Sequence, residues 1–133
     1  MSESEGAGGL DLTGVWQGQY AYPRILDPVS FTATLTETNS WLEGVTEEPG
    51  AIRAADRTVT ATLQGRRTGR SITWLKVYDG FEREPVQYIG EVSEDGSEIA
   101  GRWTIPGNWS GSFLMIRAGG SKAALTRVVT EKV

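Results

Sequence analysis

The sequence predicts an all-β protein, an eight-stranded antiparallel up-and-down β-barrel. Three observations lead there. Apolar and polar residues alternate with a period of two through most of the 133 residues, the signature of strands with one lined face. Clusters of Pro, Gly, Asn and Asp punctuate that alternation into eight runs. None of the connections has the length of a helical crossover, so neighbouring runs must pair antiparallel. Eight such strands close on themselves, which removes the exposed edges of an open sheet.

Residues 1–10 are rich in Gly, Ser and Glu, offer almost nothing to bury, and are expected to form a flexible leader. The barrel is assigned to residues 11–118. In the first run Gly14, Trp16, Gly18, Tyr20 and Tyr22 share a phase, and Pro23 and Pro28 bracket the loop that follows. Val29 to Thr38 alternates Val29, Phe31, Ala33 and Leu35 with Ser and Thr, which suit a pleated exposed face. Asn39-Ser40 is a short turn. Trp41 to Thr46 is a third strand whose phase stays open: either Leu42 and Gly44 or Trp41 and Val45 point inward. Glu47 to Asp56 contains Glu-Glu-Pro-Gly and reads as a loop.

The fourth run, Thr58 to Gln64, sets Val59, Ala61 and Leu63 on one face, with a turn at Thr68-Gly69. In Ser71 to Tyr78 the lined face carries Ile72, Trp74, Lys76 and Tyr78. After the loop Asp79–Pro85, Val86 to Val92 aligns Val86, Tyr88, Gly90 and Val92. Asp95-Gly96 is a two-residue hairpin signal. Ile99, Gly101, Trp103 and Ile105 form the seventh face, Pro106–Ser110 a loop, and Phe113, Met115 and Arg117 the phase of the eighth run, Ser112 to Arg117. Residues 119–133 are read as a tail, a further strand, or a short helix capped by Ser121 with Ala124, Leu125 and Val128 as its apolar stripe.

Composition removes whole classes of chemistry. The chain has no Cys and no His, so disulfides, thiolate metal sites, Ser-His-Asp and Cys-His nucleophiles are excluded within one chain. No Gly-rich phosphate loop or metal-ligand cluster is present, so no metal or cofactor is expected, and no catalytic residue is assigned. A net charge of −4 disfavours nucleic acid. No run of apolar residues is long enough for a membrane-spanning helix. The N-terminal residues lack the basic and apolar regions of a signal peptide, which points to a cytoplasmic setting. Asn108-Trp109-Ser110 matches a glycosylation sequon and is read as a turn.

In an up-and-down barrel the connections alternate between ends. Pro23–Pro28, Glu47–Asp56, Asp79–Pro85 and Pro106–Ser110 gather at one end, where the five prolines also fall. The tight turns Asn39-Ser40, Thr68-Gly69 and Asp95-Gly96 gather at the other. The first end is the expected mouth, because loops tolerate changes of shape that a ladder does not. Trp16 and Arg117 belong to the base. Gly14-x-Trp16 on the first strand, with basic Arg117 late in the last, resembles the calycin superfamily of lipocalins, fatty-acid-binding proteins and avidins. The resemblance covers residues 11–118 and implies that Arg117 lies over Trp16 and seals the closed end, and that the lumen holds a small molecule. The chain departs from that superfamily in several ways. There is no Cys pair, no helix-turn-helix between strands one and two, and no match to the polar segment of avidins, so biotin binding is not implied.

The ligand-binding candidates are the large inward residues Tyr20, Phe31, Trp74, Lys76, Tyr78, Tyr88, Trp103 and Phe113. Two readings compete. Interleaved with Ala33, Ala61, Gly90 and Gly101 they can fill the barrel, or the small residues can leave a lumen. Lys76 tilts the reading toward the lumen, against the plainer alternative of a lysine that snorkels to the rim. An ammonium in an apolar phase needs a partner: Glu82 or Glu84 from the next loop, a tyrosine oxygen, or the anion of a ligand. The expected ligand is a small apolar or amphipathic molecule with a polar or acidic head facing Lys76. Two other functions stay open. One is an enzyme using Lys76 with Tyr78 or Glu84. The other is an interaction or homo-oligomeric barrel with a filled interior, contacting partners through outward Trp41, Leu75, Val77, Ile89, Leu114 and Ile116.

Overall fold

Alternation along each run places one set of side chains inside, and the register between runs determines which of them meet. A computed structural model describes residues 10–22, 27–49, 58–80, 84–107 and 109–117. It contains β1 (Gly14–Ala21), β2 (Val29–Thr38), β3 (Trp41–Pro49), β4 (Thr58–Thr68), β5 (Ser71–Tyr78), β6 (Val86–Val92), β7 (Glu98–Ile105) and β8 (Trp109–Arg117). Each strand pairs antiparallel with the next, and β1 pairs with β8, closing the barrel in sequence order. The expected architecture is therefore the observed one. The leader, most of the mouth loops and the alternatives for 119–133 lie outside the described residues. No helix of the described residues is long and apolar enough to cross a membrane.

At the base, Trp16 and Arg117 meet. Trp16 is fully buried and donates its indole N–H to the Leu12 carbonyl at 2.9 Å. The Arg117 guanidinium carbon sits 4.5 Å from the Trp16 ring centroid. Arg117 also donates to the carbonyls of Asp11 (2.9 Å), Thr13 (3.2 Å) and Gly96 (3.2 Å). One side chain thus ties the entry to β1, the β6–β7 connection and the end of β8. Gly14 is required there by its backbone: its φ of 139° lies in a region that side chains with a Cβ rarely adopt. Beside it Arg67 pairs with Glu37 at 2.8 Å, and Glu37 accepts the Leu12 N–H at 3.0 Å.

Four boundaries differ from the sequence reading, while the Asn39-Ser40 turn is as expected. The eighth strand begins at Trp109 rather than Ser112: Trp109 pairs with Ile105 and Ser110 with Thr104, so these two residues, read as loop and as part of a sequon turn, are strand held by cross-strand pairing. Asn39 and Ser40 both take positive φ, 53° and 75°, as the tight turn requires. The next turn is Gly69-Arg70 rather than Thr68-Gly69, because β4 continues to Thr68, which pairs with Ser71. The Asp95-Gly96 pair is not a two-residue hairpin. Its connection spans Ser93–Ser97, and the Asp95 carboxylate organises it by accepting from Ser97 Oγ (2.7 Å), Ser93 Oγ (2.8 Å) and the Ser97 N–H (3.0 Å). Those bonds, led by the Ser97 hydroxyl, hold the Asp95 carboxyl down at a pKa of about 2.

The fourth difference matters most for the site. β3 does not stop at Thr46 but runs to Pro49, pairing Glu48 with Val59 and Pro49 with Thr58. Its phase resolves with Leu42, Thr46 and Glu48 buried and Trp41 and Val45 exposed. What read as a loop carries a carboxylate into the barrel. The outer face also differs in part. Trp41, Leu75, Val77 and Ile89 are exposed as expected, whereas Leu114 and Ile116 are buried and do not join an exposed patch.

Candidate functional site at the barrel mouth

The upper lumen is built by inward residues from strands spread around the barrel. β1 brings Tyr20, β2 Phe31, β3 Thr46 and Glu48, β5 Lys76 and Tyr78, β6 Val86 and Tyr88, β7 Trp103 and β8 Phe113, all of them buried. At the centre lies an ion pair. Lys76 Nζ donates to Glu48 Oε1 at 2.9 Å, with Lys76 1% and Glu48 8% exposed. Tyr20 donates its hydroxyl to Glu48 Oε2 at 2.7 Å, and the Tyr78 hydroxyl lies 3.3 Å from both carboxylate oxygens. The carboxylate is satisfied on both oxygens, which is the condition for tolerating a buried charge.

The partner of Lys76 is therefore Glu48, a residue that the sequence reading placed in a loop. Of the loop carboxylates considered, Glu84 is exposed and Glu82 lies outside the described residues. The signal for Glu48 was present: it is two and six residues on from Thr46 and Leu42 and keeps their phase. Glu-Glu-Pro-Gly masked it, since a Pro at the last paired position of a strand looks the same in sequence as a Pro in a loop.

Around the ammonium stand four aromatic rings. Lys76 Nζ is 4.8 Å from the centroids of Tyr20 and Tyr78, 5.4 Å from Phe31 and 5.8 Å from Tyr88. The remaining candidates lie around this group. Trp103 meets Tyr20 edge-on, with centroids 6.1 Å apart, and donates its indole N–H to the Ala21 carbonyl at 3.0 Å. Gly111 makes that placement possible, since a Cβ there would collide with the Ala21 carbonyl and the Trp103 ring. Trp74 stacks on Tyr88, and Phe113 meets Tyr88 edge-on at 4.8 Å. Trp74 and Phe113 pack behind Tyr88 and do not reach the opening.

An aromatic ladder leads outward from this floor. Tyr22 meets Trp103 at 5.4 Å and Trp109 at 5.8 Å, both edge-on, and Trp109 is 45% exposed at the rim. The cavity left between Tyr20, Tyr22, Tyr78, Tyr88, Val86 and Trp103 is only about 20 Å³, room for roughly one water. Thr46 Oγ1 and Trp74 Nε1 are buried and find no hydrogen-bond partner among the described residues. Among those residues no cluster of acidic side chains could hold a metal.

The electrostatics follow from burial and pairing. Burial works to lower the Lys76 pKa, but the facing Tyr88, Glu48 and Tyr78 outweigh it, so the ammonium is held above its ordinary 10.5. At neutral pH, where tyrosines are uncharged, Glu48 is the anion that does this. Tyr20 is raised well above 10.0, by burial first and then by Glu48. Tyr88 is pushed up to about 12, again chiefly by burial. Raised folded values mean that above pH 10 the unfolded chain gives up protons the folded barrel keeps. Stability is then full below pH 10 and falls as pH rises toward 12. We expect the melting temperature to drop over that window, with Tyr20 and Tyr88 ionising only as the barrel unfolds. Absorbance titration of tyrosinate alongside circular dichroism checks this; tyrosinate from all four tyrosines in a still-folded protein would contradict it.

The chain matches no protein-family model and no curated protein. The reading of the site therefore stands on these contacts.

Proposed function

We propose that this protein is a calycin-like barrel that binds a small molecule at its mouth. The observation that carries the reading is the polar cluster of Glu48, Lys76, Tyr20 and Tyr78 beneath an opening rimmed by aromatic rings. A barrel that only needs filling is better served by apolar residues, since replacing a buried ion pair by packed hydrophobes is often neutral or stabilising. Polar groups fixed by packing under an apolar rim are the arrangement of ligand pockets.

The geometry favours a polar, uncharged head over an acidic one. Glu48 already neutralises Lys76, so an anionic head would meet a carboxylate at once. An apolar or aromatic body fits the edges and faces of Tyr22, Trp103 and Trp109. With a cavity of about 20 Å³, such a ligand sits at the rim and reaches the tyrosine hydroxyls with its head only. Schiff-base chemistry at Lys76 is disfavoured, because an amine nucleophile must be unprotonated and here the charged form is stabilised. The test is native mass spectrometry of protein purified without denaturation, followed by titration of any released compound into wild type and Trp109→Ala. A discrete mass lost on denaturation, rebinding about tenfold more weakly to the variant, is the expected result. A clean apo mass together with no response of tryptophan fluorescence to small phenols and alkyl alcohols would reject the reading.

A second reading is favoured by the outer face. The register sets Val45, Thr62 and Val77 in one row and Trp41, Arg66, Thr73 and Ile89 in another. A shallow groove of about 340 Å³ lies beside them between β2, β3 and β4. In that reading the barrel is filled and this face contacts another protein or a second copy. Light scattering that gives a dimer abolished by Val77→Lys would support it, and a monomer at every concentration would remove the homo-oligomer.

A further inference from the structure

The surroundings of Lys76 have the form of a receptor for a cation. Four rings from two parts of the sheet, Tyr20 and Phe31 on the paired β1 and β2 and Tyr78 and Tyr88 on the paired β5 and β6, place their centroids within 6 Å of one nitrogen. Each ring face is electron-rich, and a desolvated cation gains most from such faces. Glu48 closes the remaining side with a full negative charge at 2.9 Å. Aromatic faces with one carboxylate are the chemistry by which proteins bind ammonium ligands from solution. Here the cation is supplied by the chain itself, from a residue 1% exposed.

We propose that the upper lumen is an ammonium-binding cage which Lys76 occupies from within, and that its chemical class of ligand is a primary alkylammonium ion. Two consequences follow. In the wild type the tethered ammonium outcompetes free amines, so Lys76 keeps cations out of the lumen and leaves the mouth to neutral ligands. When the lysine head is removed, the cage becomes a binding site. Lys76→Ala keeps Cβ and loses three methylene carbons and the ammonium, which n-propylammonium replaces atom for atom. The cage does not depend on the ligand reading above: that reading is tested on the wild type with a neutral compound, this one on the variant with a cation.

The experiment compares n-propylammonium with 1-propanol, which fills the same space without charge. We expect n-propylammonium to raise the melting temperature of Lys76→Ala, with an affinity about tenfold or more above that of 1-propanol. The wild type should show no such response, and the difference between the two probes should shrink in Lys76→Ala/Glu48→Gln, where the rings remain but the carboxylate charge is gone. Equal stabilisation by both probes, or by neither, overturns the proposal. If Lys76→Ala does not fold alone, the same comparison is made on its refolding yield from urea. Nuclear magnetic resonance of the wild type supplies an independent check. Ring currents from the cage should move the Lys76 Cε protons upfield of every other lysine, and shifts that coincide with those of surface lysines would show that no cage surrounds it.

Discussion

Glu48→Ala is expected to destabilise the barrel by about 3–5 kcal/mol. The substitution removes no large apolar surface. It leaves the Lys76 ammonium enclosed with no anion, and it takes the acceptor from the Tyr20 and Tyr78 hydroxyls at the same time. An uncompensated buried charge is far more costly than the lost attraction alone suggests, because its hydration is not restored. Removing both charges tests that argument. Glu48→Gln/Lys76→Met keeps the volumes, and its stability should return to within about 1–2 kcal/mol of wild type. Urea denaturation with unchanged slopes measures both values. A loss below about 1 kcal/mol in Glu48→Ala is the size seen for solvent-exposed pairs, and would mean that the mouth admits water to Lys76.

Trp16→Ala should be about as damaging, at about 3–5 kcal/mol. Trp16 is fully buried at the base, and its removal leaves a cavity that the strands cannot collapse into, since closure fixes their spacing. It also strips the indole from beneath Arg117, a contact worth about 0.5–2 kcal/mol. The comparison with Arg117→Met is informative. That variant keeps an apolar cover on the indole but abandons the carbonyls of Asp11, Thr13 and Gly96. If hydrogen bonds to the guanidinium hold the base, Arg117→Met loses about 1.5–3 kcal/mol or more. If the indole alone holds it, the loss stays close to zero. Thermal and urea unfolding of the three proteins decide between them.

Much of the fold was legible because a closed antiparallel barrel is written in local signals. Alternation placed Trp74, Lys76 and Tyr78 inside together, and short turns fixed neighbour pairing. The eight ligand-binding candidates all proved inward and buried. What escaped was the end of β3. Strand ends at a mouth depend on pairing with another strand, here Glu48 with Val59, and pairing across a long connection leaves no mark in the local pattern. The missing carboxylate then distorted the chemistry, since an unpaired Lys76 invites an acidic ligand and a paired one does not. Leu114 and Ile116 show the same limit from the other side. Their phase is outward, but burial is a property of the whole chain and not of the strand. The cage of four rings was also beyond sequence reasoning, because the residues converge from strands separated by the closure of the sheet.

That closure has a kinetic consequence. The β1–β8 seam joins Trp16 to Arg117 and Tyr20 to Phe113, so the pairing that finishes the barrel is also the one with the greatest separation along the chain. Every other strand pair can form as a hairpin, with a modest loss of loop entropy. The seam can form only after the chain between has been ordered, so its closure is the pairing with the largest loop-closure cost and the one expected to limit folding. Until it forms, β1 and β8 present open edges to other molecules. The Arg117 contacts at the base therefore govern how long a nearly complete barrel remains open to aggregation, as well as how stable the finished one is.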